Sequence, residues 1–208
     1  MIIDRIDEEF LLFALRPDGR WEVPRKGSIQ YGLAGAWLAE LLVDGYIKIE
    51  EKKVLPRGHS DAGEKTLDWA LSQLRDARPK KFDKWVYRLG KDADKHRHTV
   101  MKRLEGRGHI LIERTNGHVR YPQHNPAKFA QMRDHLKGVL YGQRPADDST
   151  IALIAILDGA GLMPHAFGAP ITKQERGLLD RLVARDHRIR DLHNAVKQTK
   201  GWSLSQLF

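Results

Sequence analysis

Residues 28–50 read SIQYGLAGAWLAELLVDGYIKIE, and two kinds of periodicity follow each other within them. Apolar side chains first recur at helical spacing, and Ser28 stands where it can cap the helix. Gly45 ends the helical pattern, after which residues 46–50 alternate between apolar and polar side chains, as a strand does. Residues 53–55 return in the same way, so the sequence predicts a helix followed at once by a short hairpin.

The same order of elements occurs a second time, over residues 101–122. An amphipathic helix ends at two glycines, and two alternating segments then flank Asn116-Gly117, which is a strong hairpin signal. A helix followed by a hairpin is also the order found in a winged helix-turn-helix. The repeat therefore predicts local structure and leaves nucleic-acid binding open.

Helical periodicity covers most of the remaining chain, and no linker long enough to separate two domains interrupts it. We expect further helices at residues 7–15, 67–74, 82–89, from Asp92 or Asp94 to 104, and at 126–141, 147–161 and 173–199. The last of these has a possible break. The predicted fold is a mainly α-helical, single compact domain over residues 1–208, with short β-hairpins following two of the helices.

The composition limits the chemistry of the protein. The chain has 208 residues and no cysteine, which excludes disulfides, a thiolate nucleophile, a cysteine-ligated zinc site and an iron–sulfur cluster. With 41% hydrophobic and 30% charged residues, the composition is that of a folded protein rather than a disordered one.

Charge is unevenly distributed along the chain, whose formal net charge is +9. Residues 1–50 carry 6 basic and 9 acidic side chains, whereas residues 75–107 carry 12 basic and 5 acidic ones. Such a local excess attracts phosphates, on either nucleic acid or anionic lipid. A solvated helix face would have the same composition, so both interpretations stay open.

The sequence contains no motif that argues for an enzyme, a cofactor or a metal. There is no Gly-x-Ser-x-Gly elbow, no phosphate-binding glycine loop, and the imidazoles of His96 and His98 would point apart on a helix. The longest apolar run, residues 151–157, is far shorter than the ~20 residues that cross a bilayer. With an acidic N-terminal segment unlike a signal peptide, we expect a cytoplasmic protein whose membrane contact is peripheral and reversible.

Arg97 differs from the other basic residues of its predicted helix. At about 100° per residue it lies on the side of Val100 and Leu104, while the wheel places the lysines and Arg103 on the outer face. An inward arginine must be paired or lie at the rim of a pocket. It is therefore either one half of a structural salt bridge or an arginine that grips an anion such as phosphate.

Several blocks of the chain together resemble the Golgi phosphoprotein 3 family. Residues 31–50 resemble its "GL-x-G…L-x-EL…G-x-I-x-L" segment, and the resemblance continues in the family's order through three further blocks. These are residues 97–111 (RHTVMKRLEGRGHIL), 120–122 (RYP) and 150–157 (TIALIAIL). The compact length and short loops resemble the bacterial members more than the eukaryotic Golgi proteins.

The resemblance implies a mostly helical domain that binds phosphatidylinositol 4-phosphate at a membrane surface. In eukaryotic members a tryptophan and an arginine near "GL-x-G", and two arginines of the later basic helix, hold the headgroup. Arg97 matches the second of those two arginines, and Asp94 stands at the first. Ala34 replaces the arginine of "GL-x-G", and Arg25 stands near the tryptophan position, four residues after Trp21.

We therefore expect a non-enzymatic peripheral membrane protein that binds anionic, phosphoinositide-like headgroups. The candidate site residues are Arg97, Arg25 and Lys26, with Trp21 as an interfacial anchor. Roles as an adaptor for a client protein and as a homo-oligomer stay open. The alternative is a winged-helix nucleic-acid-binding protein that uses the basic residues 75–107.

Overall fold

The computed structural model describes residues 5–58 and 60–199. Over that part of the chain the secondary structure is mainly α-helical, as the sequence predicts. The helices are α1 (Ile6–Phe13), α2 (Ser28–Val43), α3 (Lys65–Arg75), α4 (Phe82–Gly106), α5 (Pro126–Leu140), α6 (Asp148–Ala160), α7 (Met163–Phe167), α8 (Lys173–Ala184) and α9 (His187–Gln198). The strands are β1 (Ile47–Glu50), β2 (Lys53–Pro56), β3 (Glu113–Thr115) and β4 (His118–Arg120).

Both predicted hairpins are present, each directly after the helix that the sequence places before it. Strands β1 and β2 pair antiparallel with Ile47 opposite Pro56. Strands β3 and β4 pair with Glu113 opposite Arg120, and an isolated bridge joins Ile110 to Gln123 at the base of this arm. The arm's regular strands are shorter than the alternating segments predict. We call residues 110–123 the β3–β4 arm.

Helix α4 corrects one prediction, because a single helix replaces the two expected around residues 82–104. Gly90 directly follows the first of the two predicted helices, yet it lies inside α4 and is buried. A Cβ at this position would lie 2.3 Å from Cδ1 of Tyr31. The glycine is therefore a packing site for the tyrosine ring of α2, and the helix continues through it.

Two smaller outcomes concern the C-terminal helices. The short helix α7 was not predicted, because five residues are too few for a periodic signal. The possible break in the last predicted helix is present between α8 and α9, where Asp186 accepts a hydrogen bond from the Arg188 amide and caps α9.

Helix α2 lies at the centre of the hydrophobic core. Most of its residues are buried, and it packs against α1, α4, α6 and α9. Trp37 is fully buried, and its indole N–H donates to Asp7 Oδ2 at 3.2 Å. Because its whole circumference is apolar, α2 is a core helix and offers no face to a solvent-borne partner.

A buried ion cluster joins α1 to α4. Asp7 and Glu8, in the first turn of α1, are fully buried. Arg103 Nη2 donates to both carboxylate oxygens of Asp7, at 2.8 and 2.9 Å, and its other nitrogens bind Glu8 and Glu64. Arg107 Nη1 donates to Glu8 at 2.7 Å. We call these five residues the α1–α4 ion cluster.

The ion cluster corrects the helical-wheel prediction that Arg103 lies on the outer face of α4. Its side chain is only 18% exposed, because α1 packs across this side of the helix. Burial alone would lower the pKa of Arg103, but the charge of Asp7 and the hydrogen bond to Glu8 outweigh burial and raise it. Arg103 is therefore an internal counterion rather than part of a diffuse basic surface.

Glu40 of α2 is another buried acid, and no described cation lies within hydrogen-bond distance of its carboxylate. Its Oε2 accepts the Ile6 N–H at 2.6 Å, and the nearest guanidinium nitrogen, Arg5 Nη2, is 3.9 Å from Oε1. Burial is the main cause that raises the pKa of Glu40 to about 7, with the charge of Asp7 adding to it and Arg5 opposing it. Its ionisation therefore costs folding free energy near neutral pH.

We expect Arg103→Met to lower the free energy of unfolding by about 3–5 kcal/mol, because it leaves the buried Asp7 carboxylate without its bidentate cation. Urea denaturation at neutral pH measures the change. The matched control is Lys102→Met at the exposed neighbouring residue, which should change the free energy of unfolding by less than about 0.5 kcal/mol. Equal effects of the two substitutions would contradict a structural role for the cluster.

We expect Glu40→Gln to change how stability depends on pH. A carboxyl whose pKa is higher in the folded state lowers the free energy of unfolding as pH rises from about 4.5 to about 7, and no further above that. The amide still accepts the Ile6 N–H but never ionises, so the variant should gain on the order of 2 kcal/mol over the original chain between pH 5 and pH 8. Urea denaturation at both pH values tests this, and the exposed Glu51→Gln is the control. If the free energy of unfolding changes with pH in the same way in the original chain and in Glu40→Gln, the prediction is wrong.

Candidate functional site: the Trp21 face

The loop between α1 and α2 is pressed onto the β3–β4 arm. The Tyr121 N–H donates to the Gly19 carbonyl at 2.9 Å, and Gly19 has a φ of +77°. A Cβ at Gly19 would lie 2.3 Å from the Pro122 nitrogen. The close approach and the positive φ both require glycine here, so the sequence fixes where the loop meets the arm.

Trp21, in this loop, is brought together with Arg97 of α4. Arg97 Cζ lies 4.8 Å from the centre of the indole ring, a cation–π contact. On another side the Trp21 ring packs against Tyr121 of the arm, with ring centres 5.5 Å apart. Two of the four predicted site residues therefore form one structural unit, which the arm completes.

Arg97 also has an acidic partner. Its Nη1 lies 2.7 Å from Asp94 Oδ1, one helical turn earlier on α4, and its side chain is 24% exposed. Asp94 Oδ2 accepts a further hydrogen bond from Gln30 at 3.2 Å. The salt bridge foreseen as one alternative is present, and the remaining guanidinium donors lie at the partly exposed surface beside Trp21.

Arg25 extends to a different part of the molecule. Its Nη2 donates to the Gly159 carbonyl at the C-terminal end of α6, and its guanidinium lies against Gly161, the residue that ends α6. Burial lowers the pKa of Arg25, and Asp158 partly offsets that effect. Among the described residues, the structure records no contact between Arg25 and Trp21 or Arg97. As a headgroup ligand, Arg25 stays a prediction.

Lys26 follows Arg25 in the loop and is exposed. Among the described residues, no hydrogen bond or ion pair is recorded for its ammonium group, which is open to solvent. Its participation in a binding site also stays a prediction.

Exposed apolar and basic side chains lie on the loop and on the arm that flank the Trp21–Arg97 contact. Val23 of the loop is 52% exposed, and Leu111 and Val119 of the arm are 44% and 38% exposed. Arg114 and Arg120 are exposed on the same arm. We call the surface made by Trp21, Val23, Lys26, Arg97 and the β3–β4 arm the Trp21 face.

The contribution of the arm to this face was missed by the sequence reasoning, which treated residues 109–121 only as a wing. A two-stranded arm carries no third layer, so one of its alternating faces has nothing to cover it. Val119 lies on the same face of the arm as Tyr121, which meets Trp21, whereas the strand register places Leu111 on the opposite face. The alternation of the arm, together with the absence of a further strand after it, was the available signal.

The described residues contain no group of three or more His, Asp or Glu side chains placed to hold a metal ion. The His96 ring stacks on the Trp69 ring with ring centres 3.8 Å apart, and it also meets the edge of the Trp37 ring. Across the described part of the chain, none of the helices combines the length and the apolar character needed to cross a membrane.

A family model described as Golgi phosphoprotein 3 (GPP34) matches residues 6–202. The chain belongs to the Golgi phosphoprotein 3 family. The match spans α1 to α9, so it includes every element that builds the Trp21 face and the α1–α4 ion cluster. A search among curated proteins finds no match.

Within this Golgi phosphoprotein 3 family chain, Arg25→Gln should act on stability rather than on the Trp21 face. We expect the free energy of unfolding to fall by about 1–2 kcal/mol, because the Gly159 carbonyl loses a charged donor. Binding to anionic vesicles should change less than about twofold, corresponding to less than about 0.4 kcal/mol. For stability the control is Lys26→Gln; loss of vesicle binding at unchanged stability would instead place Arg25 among the headgroup ligands.

Proposed function

We propose that this protein is a non-enzymatic peripheral membrane protein that binds anionic phospholipid headgroups through the Trp21 face. In this proposal Arg97 is the headgroup ligand, Trp21 the interfacial anchor and Lys26 an accessory charge. The observation that carries it is the Arg97 guanidinium lying on the Trp21 ring within a surface of exposed apolar and basic side chains.

The chemistry of this face suits a lipid surface better than open water. Single exposed apolar residues are ordinary, but here Val23 of the loop and Val119, on the Tyr121 side of the arm, accompany a tryptophan and the arginines Arg97 and Arg114. Tryptophan lies favourably at the level of headgroups, and arginine contributes attraction to anionic lipid while its stem contacts apolar surface. Both components would be satisfied together at the boundary between headgroups and acyl chains.

Asp94 sets a limit on the affinity of this face for phosphate. It occupies one nitrogen of Arg97, while a guanidinium has five N–H donors, so others stay available for a phosphate oxygen. The carboxylate nevertheless repels an incoming phosphate in the same region. We infer moderate, salt-dependent binding in which several lipids contribute, rather than deep enclosure of a single headgroup.

Family membership supports a phosphoinositide, phosphatidylinositol 4-phosphate or a related one, as the first lipid to test. The retained Arg97 supports it, while Asp94 and Ala34 stand where eukaryotic members carry arginines. Reversible association with the cytoplasmic side of a membrane, and an adaptor role that recruits a client protein, follow as parts of the same proposal.

The winged-helix alternative receives less support from the contacts of α4. Arg103 and Arg107, which contribute to the basic count of residues 75–107, bind acidic residues of α1. Arg97 is paired with Asp94 and stacked on Trp21. The helix of the other helix–hairpin unit, α2, is buried. The exposed basic side chains left on α4, Lys91 and Lys102 among them, can attract a phosphate backbone, so DNA binding is tested beside lipid binding.

Co-sedimentation with liposomes tests the proposal. We expect Arg97→Gln to weaken binding to phosphatidylcholine vesicles containing phosphatidylinositol 4-phosphate by about fivefold, since one surface cation contributes about 1 kcal/mol. Asp94→Asn should strengthen binding by a similar factor, because it removes the competing carboxylate. The control is Lys84→Gln, which removes the same charge from the exposed surface of α4, about 20 Å along the helix from Arg97.

A second measurement uses vesicles that contain phosphatidylserine at equal charge, which separates a preference for phosphoinositide from general attraction to anionic lipid. Equal binding by Arg97→Gln, Asp94→Asn and Lys84→Gln would refute the Trp21 face as the lipid site. A third measurement is an electrophoretic mobility shift with duplex DNA at matched salt. Tight, steeply salt-dependent DNA binding without vesicle binding would favour the winged-helix alternative.

A further inference from the structure

A groove lies between the C-terminal end of α5 and helix α8, and the proposed lipid site does not use it. Its volume is about 290 Å³. Leu140, Leu178 and Leu182 supply apolar surface along its floor, and Arg144, Arg181 and Arg185 are exposed at its rim. We call it the arginine groove.

No described residue forms an ion pair with the three rim arginines, a property that they share with Arg114 and Arg120 of the arm. Arg103, Arg97 and Arg188, by contrast, each have a carboxylate within hydrogen-bond distance. No acidic residue lines the groove. Glu175, near the groove, is held by the Tyr141 hydroxyl and by the capping box at the start of α8. The rim therefore carries three positive charges that the described fold does not neutralise.

Local structure places these guanidiniums on two sides of the groove. Arg181 lies in the last turn of α8, and Arg185 follows the helix directly as its C-cap with helical backbone angles, so the two side chains leave the same face about 6 Å apart. Arg144 lies across from them, and its amide donates to the Gly138 carbonyl at 3.1 Å. A Cβ at Gly138 would lie 2.9 Å from Arg144 Cδ, so the aliphatic part of Arg144 packs on α5 where the glycine has no side chain.

We propose that the arginine groove binds an acidic peptide segment of a partner protein, with carboxylates at the arginines and an apolar side chain on the leucine floor. Charge complementarity selects an acidic occupant, because three unpaired guanidiniums face an opening without a carboxylate. Their spread along an open groove matches several carboxylates on an extended chain. A single phosphate would require donors that converge on one point. The leucine floor adds a requirement for an apolar side chain, which an inorganic anion lacks.

The groove is separated from the Trp21 face by the length of α5. The helix begins directly after the β3–β4 arm and ends at the groove, and its 15 residues span about 22 Å. A peptide in the groove would thus leave the Trp21 face uncovered. The proposal goes beyond lipid binding and does not depend on it.

Fluorescence anisotropy with the full chain tests the proposal. The probe is a labelled seven-residue peptide with four glutamates around a central leucine, and its lysine counterpart serves as the probe of opposite charge. We expect the acidic probe to bind, the lysine probe not to bind, and Arg181→Gln/Arg185→Gln to weaken acidic binding by about tenfold. Lys84→Gln/Lys102→Gln removes equal charge from α4 and should change it less than about twofold.

Other results would overturn the proposal. These are equal losses in the two double variants, no binding of the acidic probe at physiological salt, and unchanged affinity when the probe's leucine is replaced by serine. Vesicle or duplex-DNA binding that falls about tenfold in Arg181→Gln/Arg185→Gln would also overturn it, by making the groove a site for lipid or nucleic acid. Thermal denaturation of both double variants checks folding, and unchanged melting temperatures assign the losses to the groove.

Discussion

The contact of Arg103 with the buried carboxylates of α1 is the interaction on which the arrangement of the helices depends. Two acidic side chains are fully buried in the first turn of α1, and a buried carboxylate without a cation is costly. Arg103 supplies it from α4 and so fixes how α4 is rotated about its own axis. Arg97 lies six residues earlier, about 120° around the helix, which directs it to the Trp21 loop. One internal ion pair thus determines which side chain of α4 reaches the surface beside the arm.

The basic character of the chain has two separate uses. Arg103 and Arg107 neutralise α1 and contribute nothing to attraction at a distance. The exposed arginines of the arm and of the arginine groove lie at opposite ends of α5 and face different parts of the surroundings. Net charge therefore describes the solubility of the protein, whereas the position of each arginine determines what it can bind.

Much of the fold could be predicted from the sequence, since helices and hairpins depend on local patterns. The switch from helical to alternating periodicity after Gly45, and the Asn116-Gly117 turn, both act within a few residues. Gly90 could not be interpreted in this way, because the Tyr31 ring that replaces its Cβ comes from another helix. For the same reason the helical wheel misplaced Arg103: a wheel shows which residues share a face, and not which element packs on that face. Of the candidate site, Trp21 and Arg97 were each named from the sequence, while their contact and the contribution of the arm required the fold.

The loop that carries Trp21 is attached at both ends of its course. Gly19 is hydrogen bonded to the arm, and Arg25 is hydrogen bonded to the end of α6. A loop held at two points has few conformations to lose when a ligand arrives, so little of the interaction energy is spent on ordering it. Docking at this face is then a rigid-body encounter, whose rate is set by diffusion and charge rather than by a slow rearrangement of the loop.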